Sequence, residues 1–178
     1  MGRLLLNPWR QWTIRPERLL RQYVRAGMTV LEPGPGMGFF TLTLARLAGE
    51  HGRVIAVDLQ PKMLEGLRRR ARKAGLEERI ETRIAQRDAL GLGDLAGGVD
   101  LVLASAVVHE LPSVERFFAE VAGVLRPGAV VLLMEPKGHV KDEKFASELE
   151  AACTAGLEAS SQPAIRGNYA AVLRKARA

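Results

Sequence analysis

Met28-Thr-Val-Leu-Glu-Pro-Gly-Pro-Gly-Met-Gly38 is the stretch that decides the fold of this chain. Thr29 to Leu31 are β-branched or apolar and short enough for a buried strand, and an apolar helical pattern begins at Phe39. Between them stand Glu32 and three alternate glycines, 34, 36 and 38, which permit unusual backbone angles and leave no side chain between the main chain and a ligand. Strand, tight glycine loop and helix start follow in that order. Glu32 then selects the ligand. A pyrophosphate cradle draws on helix N–H groups and would be weakened by a carboxylate just before its glycines, whereas an ammonium group would gain from one.

Working outward, Val54 to Val57 form a second apolar run that ends at Asp58, as expected for a central parallel strand covered on both faces. E-P-G-P-G-M-G after a strand, with Asp58 closing the next, resembles the first two motifs of class I S-adenosylmethionine-dependent methyltransferases. The spacing departs from the dinucleotide pattern G-x-G-x-x-G, whose third glycine would fall at Phe39. The resemblance covers residues 28 to 173. It implies a single-domain Rossmann-like α/β fold with seven mostly parallel strands, helices on both faces and an antiparallel C-terminal strand. The expected division is an N-terminal arm and helix over 1–27, a candidate cleft cover, and an S-adenosylmethionine-binding domain over 28–178.

Away from these motifs, a helix is expected from Pro16 to about Arg25, with Leu19, Leu20, Tyr23 and Val24 on one face and Gly27 as terminator. Further helices are expected over 39–47, 61–74, after Ser113, and from Asp142 to Gly156. Strands are expected over 80–84, 99–104, 130–134, 157–161 and 169–173, with a turn at Arg126-Pro127-Gly128. Cys153 reads as a buried small hydrophobe on its helix.

The resemblance assigns cofactor roles residue by residue. Glu32 takes the methionyl amino end, and Gly34, Gly36 and Gly38 form the loop of close approach. Asp58 accepts from the ribose hydroxyls, and Leu59 and Met63 give apolar contact to adenine. Asp88 accepts from the adenine amine, and Ala89 offers its backbone N–H. Ser105, at the end of the fourth strand, completes the set. S-adenosylmethionine is the implied cofactor and S-adenosylhomocysteine the product.

The fourth strand runs into Ser105-Ala106-Val107-Val108-His109-Glu110-Leu111, which resembles the corresponding segment of quinone-biosynthesis-type methyltransferases. His109 can take a proton near neutral pH and Glu110 can orient it, although both residues also suit loop ordering. Glu135 and His139 after the fifth strand, with Trp12 from the arm, are the candidate substrate contacts. The expected reaction is methyl transfer to a small molecule at O, N, S or C. The alternatives are an RNA or protein methyltransferase, and a non-catalytic S-adenosylmethionine-binding module.

Composition bounds these readings. At 178 residues with 47% hydrophobic, the chain suits one domain with a substantial core. No apolar run is long enough to span a membrane, and a cytoplasmic location without an integral membrane segment is expected. One cysteine and three scattered histidines offer no metal-ligand spacing, so no metal is expected. The net charge of +6 leaves an RNA partner open, but solvated arginine faces account for it more simply, including the cluster Arg68, Arg69, Arg70, Arg72 and Lys73. A homo-oligomer is compatible with the sequence. No Asn or Asp followed by Pro-Pro and an aromatic stands after the fourth strand, which disfavours exocyclic-amine nucleic-acid methylation. Cys153 falls on an expected helix rather than a strand-end loop, which disfavours covalent attack on a pyrimidine, and a single cysteine disfavours arsenite methylation.

Overall fold

The computed structural model describes residues 15–177. Of the candidate cover expected over 1–27, residues 1–14, with Trp9 and Trp12, lie outside them. The chain forms the expected α/β fold of seven strands, mostly parallel with an antiparallel C-terminal end, and divides into two compact units between Ala85 and Gln86.

The first unit contains α1 (Pro16–Leu20), β1 (Thr29–Pro33), α2 (Thr41–Ala48), β2 (Arg53–Asp58), α3 (Pro61–Lys73) and β3 (Ile80–Ile84). Its strands lie in the order β3-β2-β1 and are parallel, with Val30 opposite Val54 and Val54 opposite Ile80. Val30, Leu31 and Val54 to Val57 are buried, as their unbroken apolar runs require, while the alternating β3 is only half-buried. Pro61 opens α3 where no intrahelical N–H is needed, and Met63, Leu64, Leu67 and Ala71 form the stripe it buries. Each fully buried leucine there contributes about 1.5–3 kcal/mol relative to exposure. Gly75, at φ 65°, lies just past its end.

That stripe also seats the glycine loop. A Cβ on Gly38 would lie 2.5 Å from Leu67 Cδ1, and one on Gly66 would lie 2.9 Å from Met37 Cε. Arg70 Nη1 donates to the Met37 carbonyl at 2.6 Å, tying the loop to the helix. Gly38 is therefore required by packing as well as by its φ of 85°.

The second unit contains β4 (Val99–Ser105), α4 (Val114–Val124), β5 (Leu125–Pro136), α5 (Asp142–Thr154), β6 (Leu157–Ser161) and β7 (Asn168–Lys175). Its order is β4-β5-β7-β6, parallel between β4 and β5 and antiparallel thereafter. Ser113 caps α4 by accepting from Arg116 N at 3.2 Å.

Four expectations change. The first helix stops at Leu20, and the chain tightens there into a turn in which the Tyr23 amide donates to the Leu20 carbonyl three residues back at 2.9 Å. Helix α2 begins at Thr41 rather than Phe39, with Phe39 and Phe40 still in the turn. Arg126-Pro127-Gly128 does not end a segment: it lies inside β5 as an irregularity, where the register jumps from Val99↔Leu125 to Leu101↔Val130 and Gly128 takes φ 78°. Cys153 is exposed, because α5 turns Phe145, Glu148, Ala151 and Ala152 inward instead.

Candidate functional site

In the first unit the site grows from the end of β1. Glu32 is 3% exposed, and its Oε2 has no hydrogen-bond partner. Burial raises its pKa to about 8, and the neighbouring Asp58 charge adds to the rise. The nearby Thr41 hydroxyl opposes this, yet Thr41 Oγ1 itself lacks a partner within hydrogen-bonding geometry, so that opposition is weak. An orphaned buried carboxylate is costly unless something completes it. Immediately after it, Gly34, Gly36 and Gly38 take φ of 65°, 54° and 85°, and the Gly34 amide is held by the Val57 carbonyl at 2.8 Å. The loop is a fixed backbone surface beside a carboxyl group with an unpartnered oxygen. An ammonium group placed there fits both features.

Asp58, half-buried at the end of β2, accepts from the Gln60 amide at 2.9 Å through Oδ1. Next to it Leu59 is 53% exposed, and Ile84, the β3 residue paired with Asp58, is 61% exposed. These are the two large exposed apolar side chains among the described residues, and they flank one carboxylate. Met63 is buried in α3 and contributes mainly to packing. Ile84 was missed from the sequence because a strand-end isoleucine looks like core; exposure is the signal, and it is visible only in the fold.

In the second unit, Asp88 is exposed and pairs with Arg116 at 3.1 Å. Ala89 and Gln86 close a small loop, with the Ala89 amide 3.4 Å from the Gln86 carbonyl, a weak bond that leaves this N–H available to a better acceptor. Ser105 Oγ is buried without a partner, and Ala106 follows at φ 54°, a strained position for a residue with a Cβ.

A polar cluster follows from the ends of β4 and β5. Glu135 is fully buried. Its Oε1 accepts from the amides of Val107 and Val108 at 3.3 and 2.9 Å, and its Oε2 is hydrogen-bonded to His109 Nδ1. With Nδ1 engaged, His109 Nε2 is the ring atom left to exchange a proton, and Glu110 Oε1 lies 3.9 Å from it. His139 is exposed, its ring 6.4 Å from that of His109 and inclined by 25°. The sequence therefore placed Glu135 in the right cluster with a role its burial does not support: it grips His109 and two backbone amides rather than opening to a substrate.

Glu148 completes the cluster and was missed. It is fully buried on α5, and neither carboxylate oxygen has a partner. Burial, then the Glu135 charge, raises its pKa to about 7, against the attraction of Lys144 and His109. Its helical spacing from Phe145 and Ala152 was the available signal, since a residue on that face points inward whatever its polarity. No group of His, Cys, Asp and Glu among the described residues is arranged to hold a metal ion. No described helix is long and apolar enough to cross a membrane.

Comparison with known proteins bears on the whole arrangement. A methyltransferase domain family matches residues 31–133. An arsenite methyltransferase of Halobacterium salinarum is 34% identical, over 61% of this chain and 27% of its own length. The ubiquinone/menaquinone biosynthesis C-methyltransferase UbiE of Klebsiella pneumoniae is 32% identical, over 63% of this chain and 44% of its own. The chain thus spans less than half the length of these relatives. A solved S-adenosylmethionine-dependent methyltransferase from Aquifex aeolicus shares the fold with TM-score 0.84 and 24% identity, over 97% of this chain and 96% of that one. With the family match spanning more than half of the sequence and the glycine loop lying at its start, the chain belongs to the class I S-adenosylmethionine-dependent methyltransferase family.

Proposed function

We propose that this chain transfers the methyl group of S-adenosylmethionine to a small-molecule acceptor, and that Glu32 is the observation that carries the reading. Its buried, unpartnered Oε2 beside a fixed glycine loop is complementary to the α-amino end of the cofactor. Asp58 would accept from the ribose diol, and exposed Leu59 and Ile84 would cover one edge of the adenine, with Met63 behind them. The family resemblance also assigns Asp88 and the Ala89 amide to the adenine, and Ser105 to the cofactor. When bound, the cofactor supplies an electrophilic methyl on a sulfonium, so positioning and exclusion of water account for much of the rate.

The chain's contribution to the acceptor is a base. Glu135 holds His109 by Nδ1, fixing the tautomer with Nε2 open, and Nε2 takes the acceptor's proton as its nucleophilic atom attacks. Glu110, near Nε2, then faces the imidazolium that forms. His139 is the remaining substrate-facing group of the cluster.

Titration with S-adenosylmethionine, S-adenosylhomocysteine and NAD tests the cofactor assignment. Preferential NAD binding overturns it. Turnover over an acceptor panel with the parent and His109→Ala tests the base, and equal turnover by the two removes His109 from the mechanism.

A further inference from the structure

The first unit carries a groove that none of these roles uses. It has a volume of about 700 Å³, and five arginines line it, Arg15, Arg18, Arg21, Arg46 and Arg70, against a single carboxylate, Glu17. Glu17 is already committed: it pairs with Arg21 at 2.5 Å and also feels Arg46. The side chains of Arg15, Arg18 and Arg46 make no hydrogen bond to another described side chain. Arg70 is half-buried, and desolvation lowers its pKa from the ordinary arginine value, so an anion beside it would recover charge stabilisation. Phe39 and Leu42 supply an apolar wall.

We propose that this groove is a binding site for a small amphipathic anion with a phosphate or diphosphate head and an apolar body. The volume lies in the range of small-molecule sites, and guanidinium forks match phosphate oxygens in pairs. Residues 1 to 14 carry Arg3 and Arg10 and no carboxylate, so they supply no counter-charge. An RNA track is disfavoured because two of the neighbouring α3 cations are occupied: Arg68 donates to Thr82 at 2.7 Å, and Arg72 pairs with Glu77 at 3.1 Å. The arginines surround one concavity instead. The site stands independently of methyl transfer, although it borders the glycine loop at Gly38.

Calorimetric titration of the full chain with inorganic pyrophosphate and with hexyl phosphate tests the proposal, with S-adenosylhomocysteine binding as a separate readout. Both probes should saturate one site, and in a parallel titration hexyl phosphate should bind more tightly than inorganic phosphate, which lacks the apolar body. The double variant Arg18→Ala with Arg46→Ala should weaken both by at least about tenfold, while Arg166→Ala, exposed in the other unit, changes them by less than about twofold. S-adenosylhomocysteine affinity should stay unchanged in each variant, so loss there concerns the cofactor site alone. No saturable binding by the parent, or equal binding by the double variant, overturns the proposal. So does a single-stranded RNA that binds with a salt dependence of more than about four phosphates and resists displacement by pyrophosphate.

Discussion

The glycine-loop site and the histidine cluster are built in opposite ways. Glu32 and its glycines are contiguous, and a seven-residue stretch fixes their geometry because strand, turn and helix succeed one another without a gap. His109, Glu135 and Glu148 come from the segments after β4, at the end of β5 and on α5, separated by 26 and 13 residues. Both regions bury a carboxylate whose pKa is raised, to about 8 for Glu32 and about 7 for Glu148. The first is buried next to a backbone shaped for a ligand, the second among other ionisable side chains. Their surroundings differ accordingly, Glu32 lying beside the glycine loop with Asp58 as its charged neighbour and Glu148 near Glu135, His109 and Lys144.

The largest effect should come from His109. His109→Ala should lower turnover by about 10²- to 10⁴-fold, the range of a lost general base, while cofactor affinity in titration stays within about twofold. Equal losses of affinity and turnover would erase the distinction between the two regions. Asp58→Ala comes next, removing a charge-assisted acceptor for the ribose and weakening the cofactor by roughly 1.5–3 kcal/mol, or about 10- to 150-fold. Unchanged affinity in a folded Asp58→Ala protein would remove it from the site. Glu135→Ala should destabilise the fold by about 1–3 kcal/mol in chemical denaturation, because it orphans the Val107 and Val108 amides. No change would mean that those amides find other partners.

The smallest effect concerns Glu148. Its pKa is raised in the folded state, so between about pH 4.5 and 7 the folded protein holds a proton that the unfolded chain has lost. Stability should therefore fall as pH rises through that window, by at most about 1.4 kcal/mol per pH unit from this group, and level off above it. Glu32 contributes in the same direction up to about pH 8. Glu148→Gln should flatten the lower part of the profile, and an unaltered profile would show that Glu148 is solvated.

Much of this was legible in the sequence where the determinants are local. The strand at Thr29, the proline start of α3 and the Ser113 cap each depend on neighbours within a few residues, and each appears where expected. Elements set by distant partners were not legible. Arg126-Pro127-Gly128 has the residues of a turn, yet pairing with β4 draws it into a strand as a bulge. Cys153 faces outward and Glu148 inward because the face that α5 buries is set by the elements it packs against, which no local window contains. For the candidate site, Glu32 and the glycines proposed for the cofactor stand in one motif, whereas the grip of Glu135 on His109 required two strand ends to be brought together.

Proton release on cofactor binding tests the central claim most directly. At pH 7 a free Glu32 with a pKa near 8 is mostly protonated, and an ammonium group beside it would favour the carboxylate. Calorimetric titration with S-adenosylhomocysteine in two buffers of different ionisation enthalpy should then report close to one proton released per molecule bound. Affinity should rise with pH up to about 8, and Glu32→Gln should abolish both the release and the pH dependence. Binding of equal strength with no proton released, unchanged in Glu32→Gln, would contradict the assignment of Glu32 to the cofactor's amino group.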